Sequence, residues 1–289
     1  MRWMRQIEMD FLSQTESDQQ AIGQSMEDLQ LTDESSLRVL SVGSGDPIIF
    51  VPMITELNFL YAPQVEEFSI DHRVILYEPR LSRHSRVSIA DRASEMVLLM
   101  ESLGLESSHI VAWSDAGAAA YTFAKQWPQR CRSVVFLGLP DKYRLPPPVD
   151  HLMNIFNKLP IEGGIPSSML AQLLGKFMQG PQVKYSWVVE FAQKIPQLPR
   201  LFKHSCLPNM IEHKPIANEV LAPSLVICGD SDPVVTYEQA QRMTHLLPNA
   251  KETVLIPNGE HCLAYVNADA VNSAIRFFYR SLAKLSADE

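Results

Sequence analysis

No window of the chain approaches the roughly 18 uninterrupted apolar residues that a membrane-spanning helix requires. The first letters, MRWMRQIEMDFLSQTES, lack the apolar core and the small-residue cleavage site of a secretory signal. Cysteine is scarce: four in 289 residues (Cys131, Cys206, Cys228, Cys262), none in a C-x-x-C pair. Two of the four fall in or beside apolar runs, so reduced thiols are expected rather than a disulfide framework, and with them a cytoplasmic setting. Clustered basic charge is missing too. The net charge is −8, and residues 1–35 set Arg2 and Arg5 against eight carboxylates, leaving a near-neutral body. That argues against nucleic acid or an anionic membrane as the main partner, because both need grouped Lys and Arg. In the acidic leader Trp3, Ile7 and Phe11 recur at helical spacing, a stripe suited to docking on the body or on a second subunit; a frayed polar extension fits the same letters.

Cofactor signals are lacking as well. His204, Cys206 and His213 have neither the spacing nor the fourth ligand of a structural zinc site. No third glycine follows Gly43-Ser44-Gly45, and Pro47 stands where a dinucleotide-binding helix would begin. Neither a metal nor an organic cofactor is expected.

What is present is an apolar fraction of 46%, enough for one α/β domain and an insertion. Strand-like runs at 37–42, 47–51, 72–77, from His109, and 134–139 alternate with helical periods at 88–103 and after Ser114 to Trp127, where Pro128 stops the helix. The first two runs, joined by Gly43-Ser44-Gly45, read as a hairpin. The alternation predicts an α/β fold with a mostly parallel, doubly wound sheet carrying helices on both faces. Between Asp141 and Ala222 the rhythm breaks. Helical stretches are expected there at 151–158, 168–178, 185–193 and about 198–202. Their Met, Leu, Phe and Trp residues exceed what a thin helical layer hides internally, so part should face a cleft suited to an apolar or acyl substrate.

Three short motifs carry the chemistry. His109–Tyr121, HIVAWSDAGAAAY, is an apolar strand, a serine flanked two residues away by Ala112 and Ala116, and a helix. A serine lifted above a sharp strand-to-helix turn needs tiny residues at those two positions. Asp232 lies in the turn GDSDP after the run Pro223–Cys228, and His261 lies in GEH after Thr253–Ile256. All three follow the C-terminal ends of strands, the edge where parallel sheets bind ligands.

These motifs resemble the α/β-hydrolase superfamily in its cap-bearing subset, over roughly residues 36–284. The resemblance implies an acidic extension at 1–35, a core at 36–140 and 223–289, and a helical cap at 141–222. It implies Ser114 as nucleophile, Asp232 as acid and His261 as base, with Asp141 and Asp230 as competitors for the acid. Oxyanion donors would be the backbone N–H groups of Asp115 and Ile54. Two departures stand out. Pro52-Met53-Ile54-Thr55 replaces the usual His-Gly loop, and EPRLSRHSR (78–86) replaces a glycine-rich loop. Met53, Trp113, Phe156 and Trp187 are expected on the substrate side. The leading expectation is hydrolysis of an ester, thioester or lactone with a largely apolar acyl part. A C–C hydrolase or lyase, an acyltransferase, and a non-catalytic ligand-binding homologue stay open, as do a homodimer and a carrier-protein partner. A histidine base must be neutral, so activity should fall below about pH 6 to 7.

Overall fold

A computed structural model describes residues 11–81, 87–141, 166–195, 198–204 and 217–287. In chain order they form α1 (Phe11–Gln24), β1 (Glu27–Gln30), β2 (Ser36–Val42), β3 (Asp46–Val51), a 3₁₀ turn (Thr55–Tyr61), α2 (Ala62–Phe68), β4 (His72–Tyr77), α3 (Ile89–Ser102), β5 (Ser108–Trp113), α4 (Ala116–Gln126) and β6 (Cys131–Leu137). There follow α5 (Ser167–Met178), α6 (Tyr185–Gln193), α7 (Leu198–Lys203), β7 (Ser224–Gly229), α8 (Tyr237–Leu246), β8 (Ala250–Ile256), α9 (Leu263–Val266) and α10 (Ala268–Ala287). The expected helices at 168–178, 185–193 and 198–202 coincide with α5, α6 and α7 within two residues. The expected helix at 151–158 lies outside the described residues.

The strands make one eight-stranded sheet in the order β1-β2-β4-β3-β5-β6-β7-β8. From β4 to β8 every neighbouring pair is parallel; only β1 and β2 run antiparallel to their neighbours. Burial explains the composition of the centre. All residues of β5 and β7 are buried, so these strands read as continuous apolar runs rather than alternating ones. Helix starts are written locally: Ser88 and Asp91 close a capping box on α3, and Thr236 with Gln239 does the same on α8. No described helix is long and apolar enough to cross a membrane.

One expectation needs correction. The strands around Gly43 and Gly45 are not a hairpin, because β4 lies between them. The glycines serve a crossing instead. Both have positive φ, and a side chain on either would run into backbone at Ser69, Asp71 or His72. The leader is also less separate than its charge suggests. Residues 27–30 pair with β2 as an edge strand, and α1 rests on the body, with Phe59 N–H donating to Gln19 Oε1 at 3.2 Å and the Tyr265 hydroxyl to Asp18 Oδ2 at 2.5 Å. Trp3 and Ile7 lie outside the described residues.

His109, the second residue of β5, is buried, with its Nδ1 2.7 Å from Ser133 Oγ. Burial, with help from Arg132, lowers its pKa to about 4. The folded chain thus keeps the ring neutral where the unfolded chain protonates it. Stability present above about pH 6.5 is therefore expected to fall as the pH drops towards 4, by up to roughly 3 kcal/mol. Urea midpoints across that range, compared between wild type and His109→Phe, measure it; a flat difference between the two would refute it.

Candidate active site

Ser114 stands at the end of β5 with φ 53°, a left-handed angle that a residue other than glycine adopts only under constraint. The constraint is visible. Its N–H donates to Leu137 O at 2.8 Å, and its carbonyl accepts from Gly117 N–H at 3.0 Å. Ala112 and Ala116 are buried on either side, and a methyl on Gly117 would press on Leu139, so the turn has room only for small residues.

The serine Oγ is 2.9 Å from His261 Nε2, and His261 Nδ1 is 2.9 Å from Asp232 Oδ2. The other carboxylate oxygen of Asp232 accepts from Val234 N–H at 2.7 Å and Val235 N–H at 3.0 Å, which fixes its plane. The three expected residues are thus in one hydrogen-bonded chain. The rival acids are elsewhere: Asp141 pairs with Arg242 at 2.9 Å, and Asp230 accepts from the Ser231 hydroxyl.

Sequence reading missed the residues that set this geometry. Gly229 at the end of β7 and Gly259 before His261 pack backbone on backbone, so that a methyl on Gly229 would overlap the Gly259 carbonyl. Ser231 N–H donates to that carbonyl at 2.9 Å, tying the acid turn to the histidine loop. Gly138, with φ 57°, lies under the pair; a methyl there would come to 3.4 Å from both Asp232 Oδ2 and His261 Nδ1. The only signal in the letters was that glycines stood at strand ends.

Tyr61 also escaped notice. Its hydroxyl donates to Val51 O at 3.1 Å and accepts from Trp113 N–H at 2.8 Å, so one phenol joins the end of β3 to the serine turn. Burial raises its pKa far above the ordinary tyrosine value, keeping the proton in place. Trp113 was expected to touch substrate. It is buried instead, with its indole N–H donating to His261 O at 2.7 Å, so it braces the histidine. Trp187 is likewise engaged elsewhere: it stacks on Phe11 at 5.6 Å, with Lys184 Nζ 4.7 Å from its ring centre. Phe156 lies outside the described residues. Met53 is half-buried against the core, and Ile54 is buried with extended backbone (φ −141°, ψ 156°), so neither residue needs glycine-only angles. Asp115 is buried at the N-cap of α4, where a carboxylate suits the helix dipole.

The helical layer is fastened to the histidine loop by Glu260, whose buried carboxylate accepts from the backbone N–H groups of Gln182 and Val183. Burial pushes this carboxyl above its usual range, and the two N–H groups pull the other way. Gly180 leaves the space that the Glu260 side chain occupies. The neighbouring Cys262 thiol is held protonated by burial, so it is no rival nucleophile.

A parallel sheet with a strained serine turn and a histidine loop on one edge defines a class, and comparison agrees. A family model described as alpha/beta hydrolase fold matches residues 169–268. Over 190 residues the chain is 26% identical to a 2-hydroxy-6-oxo-6-phenylhexa-2,4-dienoate hydrolase of Burkholderia cepacia, a match covering 60% of this chain and 63% of that one. An esterase of Thermogutta terrifontis superposes with TM-score 0.71 at 18% identity, covering 89% of this chain and 98% of the esterase. The enol-lactonase of Burkholderia xenovorans does so with TM-score 0.69 at 16% identity, covering 88% and 100%. The described residues have the α/β-hydrolase fold.

Proposed function

We propose that the protein is a serine hydrolase that cleaves an ester, thioester or lactone with a largely apolar acyl part. The observation that carries this is the continuous contact from Ser114 Oγ through His261 to Asp232, at 2.9 Å in each step. Serine is a weak nucleophile until a neighbouring base takes its proton. In this reading His261 Nε2 accepts that proton as Ser114 Oγ attacks the carbonyl, and Asp232 keeps Nδ1 protonated and steadies the imidazolium. The tetrahedral oxyanion accepts from the N–H groups of Asp115 and Ile54. Its collapse expels the leaving group with a proton from His261 and leaves an acyl-Ser114. Water, activated by the same histidine, then releases the acid. Apolar residues at Met53 and Ile54 and the Leu- and Met-rich helical layer favour an apolar acyl chain. The layer, residues 141–222, is read as a lid.

A second reading, hydrolysis of a C–C bond, is favoured by the name of the Burkholderia cepacia relative. Two measurements decide. A fluorophosphonate probe should label the wild type and fail on Ser114→Ala; no labelling of either would favour a ligand-binding protein. A chain-length series of nitrophenyl esters and acyl thioesters, run beside 2-hydroxy-6-oxo-6-phenylhexa-2,4-dienoate, should show its highest kcat/KM on a medium or long acyl ester. Turnover of the dienoate alone would shift the assignment to C–C cleavage.

A further inference from the structure

The segment that supplies the proposed second oxyanion donor holds its shape without glycine. From Val51, the last residue of β3, the chain runs PMITELNFL and returns at Tyr61, the last residue of the 3₁₀ turn that starts directly after Ile54. Inside it, Leu57 N–H donates to Ile54 O at 3.1 Å. What closes the segment is a side chain: the Tyr61 hydroxyl donates to Val51 O, ten residues back, at 3.1 Å.

That same oxygen accepts from Trp113 N–H at 2.8 Å. Trp113 is the last residue of β5 and directly precedes Ser114, and β3 and β5 are neighbours in the sheet with Val51 opposite Ala112. One buried atom therefore holds the chain shortly before Ile54 and shortly before Asp115, the two amides assigned to the oxyanion. A phenol suits this task because its hydroxyl donates and accepts at once, on a rigid ring. The ring packs against that of Phe50, with 5.0 Å between centres, which fixes where the hydroxyl sits.

We infer that Tyr61 is a positioning residue for the reaction proposed above: its hydroxyl sets the distance between the Ile54 and Asp115 amides, and so fixes the oxyanion site that a loop without glycine leaves unset. The inference rests on the serine-hydrolase reading. Tyr61 itself touches no substrate. A displaced amide weakens a hydrogen bond that matters chiefly in the transition state, so the loss falls on kcat and spares KM.

Tyr61→Phe tests this, since it keeps the ring against Phe50 and removes one oxygen. On the best nitrophenyl ester kcat should fall about 30-fold with KM within about twofold, short of the roughly 100-fold cost of losing a whole donor. Inhibition by a trifluoromethyl ketone of the same acyl chain, whose hemiketal with Ser114 carries the oxyanion, should weaken in parallel. The acid limb of the pH–rate profile should keep its midpoint, because the hydroxyl bonds to neither His261 nor Asp232. Phe68→Leu is the control: its ring lies 6.5 Å from that of Phe50, and truncating it thins the same core without removing the hydroxyl. It should lower thermal melting and leave kcat and ketone inhibition unchanged. A phenol that only filled the core would give both variants the same profile, and that result overturns the proposal. So does a Tyr61→Phe enzyme with wild-type kcat and ketone inhibition; the hydrolase reading survives that result where fluorophosphonate still labels Ser114. A wild type that fluorophosphonate does not label overturns both.

Discussion

Asparagine at Asp232 is expected to lower kcat on an activated ester about 10⁴-fold, whereas asparagine at Asp141 should leave it within about twofold. The first substitution keeps the shape and the contacts from Val234 and Val235 N–H to Oδ1. It changes the group facing His261 Nδ1 from an acceptor to a group that can donate. The imidazole then settles in the tautomer that places a proton on Nε2, 2.9 Å from Ser114 Oγ, where a lone pair is needed. Asp141 instead spends its carboxylate on Arg242, at 2.9 and 3.2 Å, in a pair exposed on the arginine side. Such pairs contribute little. Steady-state kinetics on both variants, with thermal melts to confirm folding, give the comparison. A larger loss in Asp141→Asn would move the acid to the strand after the serine turn and remove Asp232 from the mechanism.

The second large effect is expected at Gly229. Alanine there has no open space to occupy, since its methyl would meet the Gly259 backbone rather than a side chain able to swing away. Separation of the two loops is the only relief. We expect a loss of about 3 kcal/mol in stability, at the upper end for overpacking. Because the same contact sets where Asp232 and His261 meet, a displacement near 1 Å should also cost roughly 100-fold in kcat. Denaturant midpoints and single-turnover rates read the two consequences separately. An alanine variant with wild-type values for both would show that the glycine pair does not register the loops.

Much of this architecture was legible because its signals are local. A serine between Ala112 and Ala116, a strand on one side and a helix on the other, describes a turn whose causes all lie within a dozen residues. The same holds for α3, whose start is written in Ser88 and Asp91. What escaped was nonlocal. The Gly43-Ser44-Gly45 loop reads as a hairpin until β4, some thirty letters on, is known to enter between its strands. Trp113 and Trp187 read as cleft residues because aromatic side chains suit clefts. Their actual partners, the His261 carbonyl and the Phe11 ring, are 148 and 176 positions away in sequence. Gly229 and Gly259 give no sign of each other in either stretch of letters. β1 was hidden for another reason: four residues with a mostly exposed pattern, EDLQ, carry no apolar period to detect.

Among the described residues, Glu260 and α1 fasten the helical layer at two of its corners, beside a further tie in which Arg92 donates to His204 O at 2.9 Å. One pin is a carboxylate on the amides at 182 and 183; the other is the ring stack of Phe11 on Trp187, backed by the Lys194–Glu16 pair at 2.7 Å. Release at the first corner requires the Glu260 carboxylate to leave two backbone amides, and release at the second requires the leader to leave the body.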